Sequence, residues 1–191
     1  MTPDVRQSLT SDFAHFASAA ANLAYLTGAE EARVVRVDRY GHSTPLFDQT
    51  GDYRYPNLSP DGQRLALTIR GNLGLDVWVY ALERGTRSRL TSDGESLFPT
   101  WYPDGERVTF STGEGTVFIK GADGSGEVER LDVQSRVLGP RWSPDGQTLF
   151  FFTDQRATTG VNIELFRDET VAPFTAGQFS ELCPQFSPNG R

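Results

Sequence analysis

The 191-residue sequence is poor in most of the side chains that carry chemistry. Cys183 is its one cysteine, so no intrachain disulfide can form and no cysteine-rich metal cluster is possible. The only histidines are His15 and His42, one expected in a strand and one in a turn, with no Cys or His cluster around either. Lys120 is the only lysine; arginine supplies the remaining cations, and 18 Lys+Arg against 25 Asp+Glu leave a formal net charge of −7. An acidic balance without a basic run argues against nucleic acid or an anionic membrane surface as the partner. No apolar run approaches the roughly 20 residues of a membrane span. The N-terminus lacks the cationic-then-apolar order of a signal peptide. Direct insertion of this chain into a membrane is therefore not expected.

Catalytic patterns are missing as well. Nucleophilic hydrolysis needs a nucleophile, a base and an orienting acid, and there is no Gly-x-Ser-x-Gly elbow. Gly71-Asn72-Leu73-Gly74 and Gly113-Glu114-Gly115 lack a phosphate-cradling context. The Asp-Gly pairs at Asp61, Asp104 and Asp145 lack the alternating oxygen ligands of a calcium loop. No catalytic, cofactor-binding or metal-binding residue is expected, and no enzyme activity within this chain.

What the sequence does hold is a repeat. Tyr55-Pro56-Asn57-Leu58-Ser59-Pro60-Asp61-Gly62 returns as Phe98-Pro99-Thr100-Trp101-Tyr102-Pro103-Asp104-Gly105 and as Gly139-Pro140-Arg141-Trp142-Ser143-Pro144-Asp145-Gly146. A fourth copy is Cys183-Pro184-Gln185-Phe186-Ser187-Pro188-Asn189-Gly190. The second prolines stand 43, 41 and 44 residues apart. A period in this range with strand-like segments is the signature of propeller blades. In each turn proline sets the bend, aspartate bonds its own backbone and glycine takes the left-handed position. Cys183 holds a place filled by Tyr55, Phe98 and Gly139 in the other copies and is read as a small packing residue.

Period-2 alternation and turn residues divide each unit into four strands. The expected fold is an all-β propeller of four-stranded antiparallel blades forming an incomplete ring. Its blades span about 13–50, 51–93, 94–134 and 135–177. Residues 1–12 are read as the last strand of a preceding blade and 178–191 as the start of a further one. In the second blade the strands are expected at 55–58, 64–69, 76–81 and 88–91. In the first blade the inner strand is expected at 14–16, and Ala17-Ser18-Ala19-Ala20 is read as a decayed form of the turn. A helix is the competing reading of that alanine-rich stretch. Because the last copy stops on its turn, a segment of a larger ring of six or more blades is expected.

The aromatic residues follow the period. Trp101, Trp142, Leu58, Phe186 and Phe16 share one inner-strand position, and Phe110, Phe151, Leu67 and Tyr25 share one on the second strand. Both faces of a blade are covered by neighbours, so these are expected to pack between blades. Recognition is expected where the sequence varies, in the loops that enter the innermost strands. These are Asp52-Tyr53-Arg54, Gly94-Glu95-Ser96, Ser135-Arg136-Val137 and Phe179-Ser180-Glu181. Tyr53, Arg54, Glu95, Arg136, Phe179 and Glu181 are the candidate binding residues, with solvated loop tips as the plainer alternative.

Ser-Pro-Asp-Gly before an apolar strand, then Asp76-Val77-Trp78-Val79-Tyr80, then Ser88-Arg89-Leu90-Thr91, resembles the TolB-type, WD-repeat-like propeller unit. More narrowly, Val35-Arg36-Val37-Asp38-Arg39-Tyr40-Gly41 with the 55–62 and 76–82 stretches is similar to the C-terminal propeller of bacterial serine/threonine protein kinases. The kinase Gly-rich loop, His-Arg-Asp and Asp-Phe-Gly are absent, so the resemblance carries over no kinase activity. It implies a non-catalytic scaffold or sensor for a protein or peptide partner, in a bacterial protein, cytoplasmic or extracytoplasmic. Two alternatives are the gating propeller of a prolyl-oligopeptidase-type serine peptidase and a TolB-like periplasmic interaction protein.

Overall fold

A computed structural model describes residues 7–8, 11–14, 16–19, 22–27, 32–38, 40–155, 160–175 and 184–186. The fold is all-β, with four four-stranded antiparallel sheets in sequence. Ahead of them β1 (Gln7–Ser8) pairs antiparallel with β2 (Ser11–Ala14). The first sheet holds β3 (Phe16–Ala19), β4 (Asn22–Thr27), β5 (Arg33–Val37) and β6 (Ser43–Pro45). The second holds β7 (Tyr53–Leu58), β8 (Arg64–Gly71), β9 (Gly74–Ala81) and β10 (Thr86–Arg89). The third holds β11 (Ser96–Trp101), β12 (Arg107–Thr112), β13 (Val117–Gly121) and β14 (Glu129–Leu131). The fourth holds β15 (Leu138–Trp142), β16 (Leu149–Gln155), β17 (Gly160–Arg167) and β18 (Thr170–Pro173). Each sheet is a simple meander, and the first strands β3, β7, β11 and β15 touch in succession, as the inner strands of propeller blades do.

The repeated turns form as their residues dictate. Gly62, Gly105 and Gly146 have φ of 70°, 72° and 71°, a region that residues with a Cβ resist. The Ser59 hydroxyl donates to Asp61, and Asp61 Oδ1 accepts the Gln63 N–H at 3.0 Å. Asp145 repeats the pattern with Ser143 at 2.5 Å and Gln147 at 3.0 Å. Those bonds, the serine hydroxyl first, hold both carboxyl groups below the ordinary aspartate range. These carboxylates are engaged in their own turns.

Strand limits differ from the sequence expectation in several places; in the second blade the middle strands are longer, at Arg64–Gly71 and Gly74–Ala81. The second blade's outer strand runs over Thr86–Arg89 rather than 88–91, because Leu90 and Thr91 leave the ladder. Their N–H groups donate instead to the Val77 carbonyl at 2.8 and 3.3 Å, and Val77 N–H donates to Thr91 Oγ1 at 3.0 Å. The second blade's inner strand starts at Tyr53 rather than at 55, and the inner strands of the second, third and fourth blades each carry a bulge, at residues 54–57, 97–100 and 138–141. In the first blade the ladder runs on through Ala17 and Ser18 to the pair Ala19↔Asn22. Without proline and glycine nothing ends the strand there, and the stretch is neither the decayed turn nor the helix. Most of the 178–191 segment lies outside the described residues, but Phe186 meets the Phe150 ring edge-on at 4.9 Å.

Three apolar clusters lie between successive sheets. Leu65 and Leu67 of β8 face the first blade with Val34, Leu58 and Tyr80, while Ala66 between them faces Val77, Trp101 and Phe110 of the next cluster. Leu65, Ala66 and Leu67 are all fully buried, so strand alternation divides one strand between two interfaces. Val117, Val137, Leu149 and Phe151 form the third cluster. Hydrogen bonds fix the register across these interfaces. Trp101 donates its backbone N–H to Asn57 Oδ1 at 3.0 Å and its Nε1–H to the Asn57 carbonyl at 2.9 Å. Tyr102 donates to the Gly146 carbonyl at 3.0 Å, and Trp142 Nε1 to Thr109 Oγ1 at 2.8 Å.

Candidate binding surface at the inner-strand entrance

The loops that lead into the inner strands are joints as well as tips. Each bonds to the start of the preceding blade's third strand. Ala32 and Gly51 exchange backbone bonds at 2.9 and 3.1 Å, Leu75 N–H donates to the Gly94 carbonyl at 2.8 Å, and Val137 N–H donates to the Gly115 carbonyl at 3.1 Å. The middle joint is closed further by Asp76, which is 3% exposed. Its carboxylate accepts from Arg89 NH2 at 2.6 Å, Thr91 Oγ1 at 3.1 Å and Gly94 N–H at 3.2 Å. The backbone of these loops is therefore fixed, and their side chains carry any recognition.

Just past the joints, the bulges place Tyr55 and Phe98 at φ of 51° and 52°. Left-handed backbone costs a residue with a Cβ about 1–2 kcal/mol. Both precede a proline, and the third copy of the position is Gly139 at 57°. The rings of Tyr55 and Phe98, from neighbouring blades, lie 4.1 Å apart between centroids. Phe98 then meets Phe152 edge-on at 6.1 Å. Phe152 belongs to the second strand of its blade and pairs with Leu138, as Ser111 pairs with Leu97. A Cβ on Gly139 would lie 2.5 Å from the Phe152 ring, so that ring fills the space a side chain at 139 would take. A row of three rings thus crosses three blades, with the third supplied from the opposite strand.

The rim charges lie where the inner strands begin. Arg54 grips Asp52 with Nε and NH2, each at 2.9 Å, and Arg70 Nε reaches the same carboxylate at 3.1 Å. The Asp52 hydrogen bonds hold the Arg54 guanidinium above its ordinary pKa against the opposing effect of burial, with the charges of Asp52 and Tyr55 adding to the effect. Asp93 accepts from Glu95 N–H at 2.7 Å and from the Ser96 hydroxyl at 2.8 Å. Among the described residues no group of three or more His, Cys, Asp or Glu could hold a metal ion.

Residues 8–191 match the TolB beta propeller domain family. The chain belongs to that family. The Tol-Pal system protein TolB of Wolinella succinogenes is 29% identical over 100 residues, covering 50% of this chain and 24% of that protein. The crystal structure of TolB from Acinetobacter baumannii superposes with a TM-score of 0.78 at 21% identity, covering 92% of this chain and 46% of that one. The propeller domain of the Trilobed protease from Pyrococcus furiosus shares the fold with a TM-score of 0.57 at 14% identity, over 85% of this chain and 56% of that one. This TolB propeller chain spans about a quarter of the curated relative and under half of the first solved structure.

Within the TolB propeller frame the sequence candidates part ways. Arg54 lies on the rim, half-buried against Asp52, and Glu95 and Arg136 are exposed there. Arg136 donates to the Gly113 carbonyl at 2.9 Å, which ties its head to the neighbouring loop. Tyr53 is 2% exposed and belongs to the interface with the first blade, not to the rim surface. Its position on the strand before the bulge turns it inward, which loop variability alone could not reveal. Phe179 and Glu181 lie outside the described residues, as do His15 and Cys183. The structure adds Tyr55, Phe98 and Arg70 to the candidates, together with Asp52 of the first rim loop, and none of these is singled out by loop variability alone. The available signal was Gly139: glycine before proline at a position that two other copies fill with Tyr55 and Phe98 marks left-handed backbone.

Proposed function

We propose that this chain is a non-catalytic interaction propeller that receives a protein or peptide partner on the inner-strand entrance. The single observation that carries the proposal is the pair of half-buried rings Tyr55 and Phe98, held together across two blades at the cost of two left-handed aromatic residues, with the buried Phe152 ring behind Phe98. Backbone strain of this kind clusters where a surface is used, and aromatic rings offer rigid contact area at low entropic cost. Similarity to a protein named for the Tol-Pal system supports a role in a bacterial protein assembly. Service as the sensing module of a bacterial serine/threonine kinase is the narrower form of the same proposal and would add a neighbouring domain, not a different surface.

The test is photo-crosslinking in the source cell, with a benzophenone side chain at Glu95 on the rim or at Arg84 in the β9–β10 turn at the opposite end. A discrete adduct is expected from position 95, weakened when Phe98→Ala is added, and none from position 84. Equal adducts from both ends, or none from the rim, would sink the proposal.

A further inference from the structure

The rim beside Tyr55 holds one carboxylate between two guanidiniums. Arg54 spends Nε and NH2 on Asp52, whereas Arg70 spends only Nε, and its two terminal nitrogens make no bond to a described residue. The Arg70 side chain is 49% exposed and the Asp52 side chain 22%. Among these three groups the positive charges outnumber the negative by one, and the outer arginine carries the excess. The planar fork of a guanidinium matches a carboxylate through two parallel bonds, which suits it better to that group than to a neutral amide. Apolar surface is available at the same entrance: the half-buried Tyr55–Phe98 pair follows Asp52 and Arg54 on the inner strands, and Leu73 is 77% exposed at the tip of the hairpin that Arg70 leads into. Of the acids of the following joint, Asp93 has its oxygens turned to the Glu95 N–H and the Ser96 hydroxyl, and Glu95 sits beyond Leu75, the strand partner of Arg70, with no bond to Arg70. The net charge of −7 does not erase the local excess, because charges more than about 8 Å away are largely screened at physiological salt.

Building on the rim reading above, we propose that Arg70, braced by Asp52 and Arg54, is a carboxylate-binding site, and that the partner is an acidic peptide segment. It lays an aromatic or aliphatic side chain on Tyr55 and Phe98 and brings a neighbouring Asp or Glu carboxylate to Arg70. An aromatic contact alone would accept many sequences; the guanidinium makes the choice among them.

The probes are the blocked tripeptides acetyl-Asp-Phe-Asp-amide and acetyl-Asn-Phe-Asn-amide, titrated into the full chain and followed by NMR. The acidic probe is expected to bind roughly fivefold tighter than its amide twin, as one partly exposed charge-assisted contact allows. Arg70→Gln removes that difference, while Arg84→Gln, the same charge change at the opposite end, preserves it. Raising the salt weakens the acidic probe alone. Equal affinity for the two probes, or equal losses from Arg70→Gln and Arg84→Gln, would overturn the acidic preference. If the amide twin binds as well as the acid, the rim reading survives and this inference falls. If neither probe binds, this inference falls too, and the crosslinking at position 95 judges the rim reading separately.

Discussion

Tyr53 shows most plainly what a single residue contributes. Its ring meets Phe47 edge-on at 5.5 Å, Phe47 stacks on Tyr80 at 4.3 Å, and its hydroxyl donates to the Gln49 carbonyl at 3.3 Å. Burial, with Tyr80 nearby, pushes its pKa from 10.0 up to about 12. A phenol raised in the folded state contributes stability that is complete below the unfolded pKa and is lost as the unfolded chain ionises first. Urea midpoints should therefore hold up to pH 10 and fall between pH 10 and about 12. Two pH units correspond to roughly 2–3 kcal/mol at most. Tyr53→Phe should flatten that limb; an undiminished alkaline loss in the variant would clear Tyr53 of the effect. The sign reverses for the turn aspartates. Asp61 and Asp145 are held below their ordinary range by serine hydroxyls, so their contribution is present near neutrality and lost in acid. The acid-side midpoint of Ser143→Ala should lie at higher pH than that of the parent.

At the scale of elements, strands and turns were legible and joints were not. Pro-Asp-Gly turns and period-2 alternation depend on neighbours in sequence, so four blades and their buried faces could be read directly. Trp101 was rightly placed between blades, but its bonds to Asn57 cross 44 residues and leave no local pattern. The same holds for the latch of Leu75 on Gly94, which gives the rim loops a fixed backbone in place of the free tips that their variability suggested. Glycine substitutions separate the two roles. A Cβ on Gly94 would lie 2.2 Å from the Leu73 carbonyl oxygen, at a φ of +78°, whereas a Cβ on Gly113 meets nothing within 4 Å. Gly94→Ala should lower unfolding stability by about 2 kcal/mol or more through strain and collision. Gly113→Ala, in the β12–β13 hairpin, the counterpart of the hairpin that Gly94 packs against, should stay within about 0.5 kcal/mol. Matching losses at both positions, measured by denaturant unfolding, would mean the joint carries no special load.

At the scale of the whole molecule, one row of three rings links the second, third and fourth blades, whichever strand supplies each. Tyr55 and Phe98 come from inner strands, and Phe152 comes from the second strand over Gly139. Composition could not disclose this, because the fourth blade has a glycine where the repeat has aromatics and an aromatic where the third blade has Ser111. Read one position at a time, both are exceptions; read across the bulge, they compensate. The most direct measurement is a double-mutant cycle on unfolding free energy with Gly139→Phe and Phe152→Ser. The first alone drives a ring into Phe152, and the second alone empties a packed site, a loss of about 3 kcal/mol or more. Together they rebuild the arrangement of the third blade, so the double variant should be more stable than the sum of the single losses by about 2 kcal/mol. Losses that add to within about 0.5 kcal/mol would contradict the account, because the two positions would then not share one ring site.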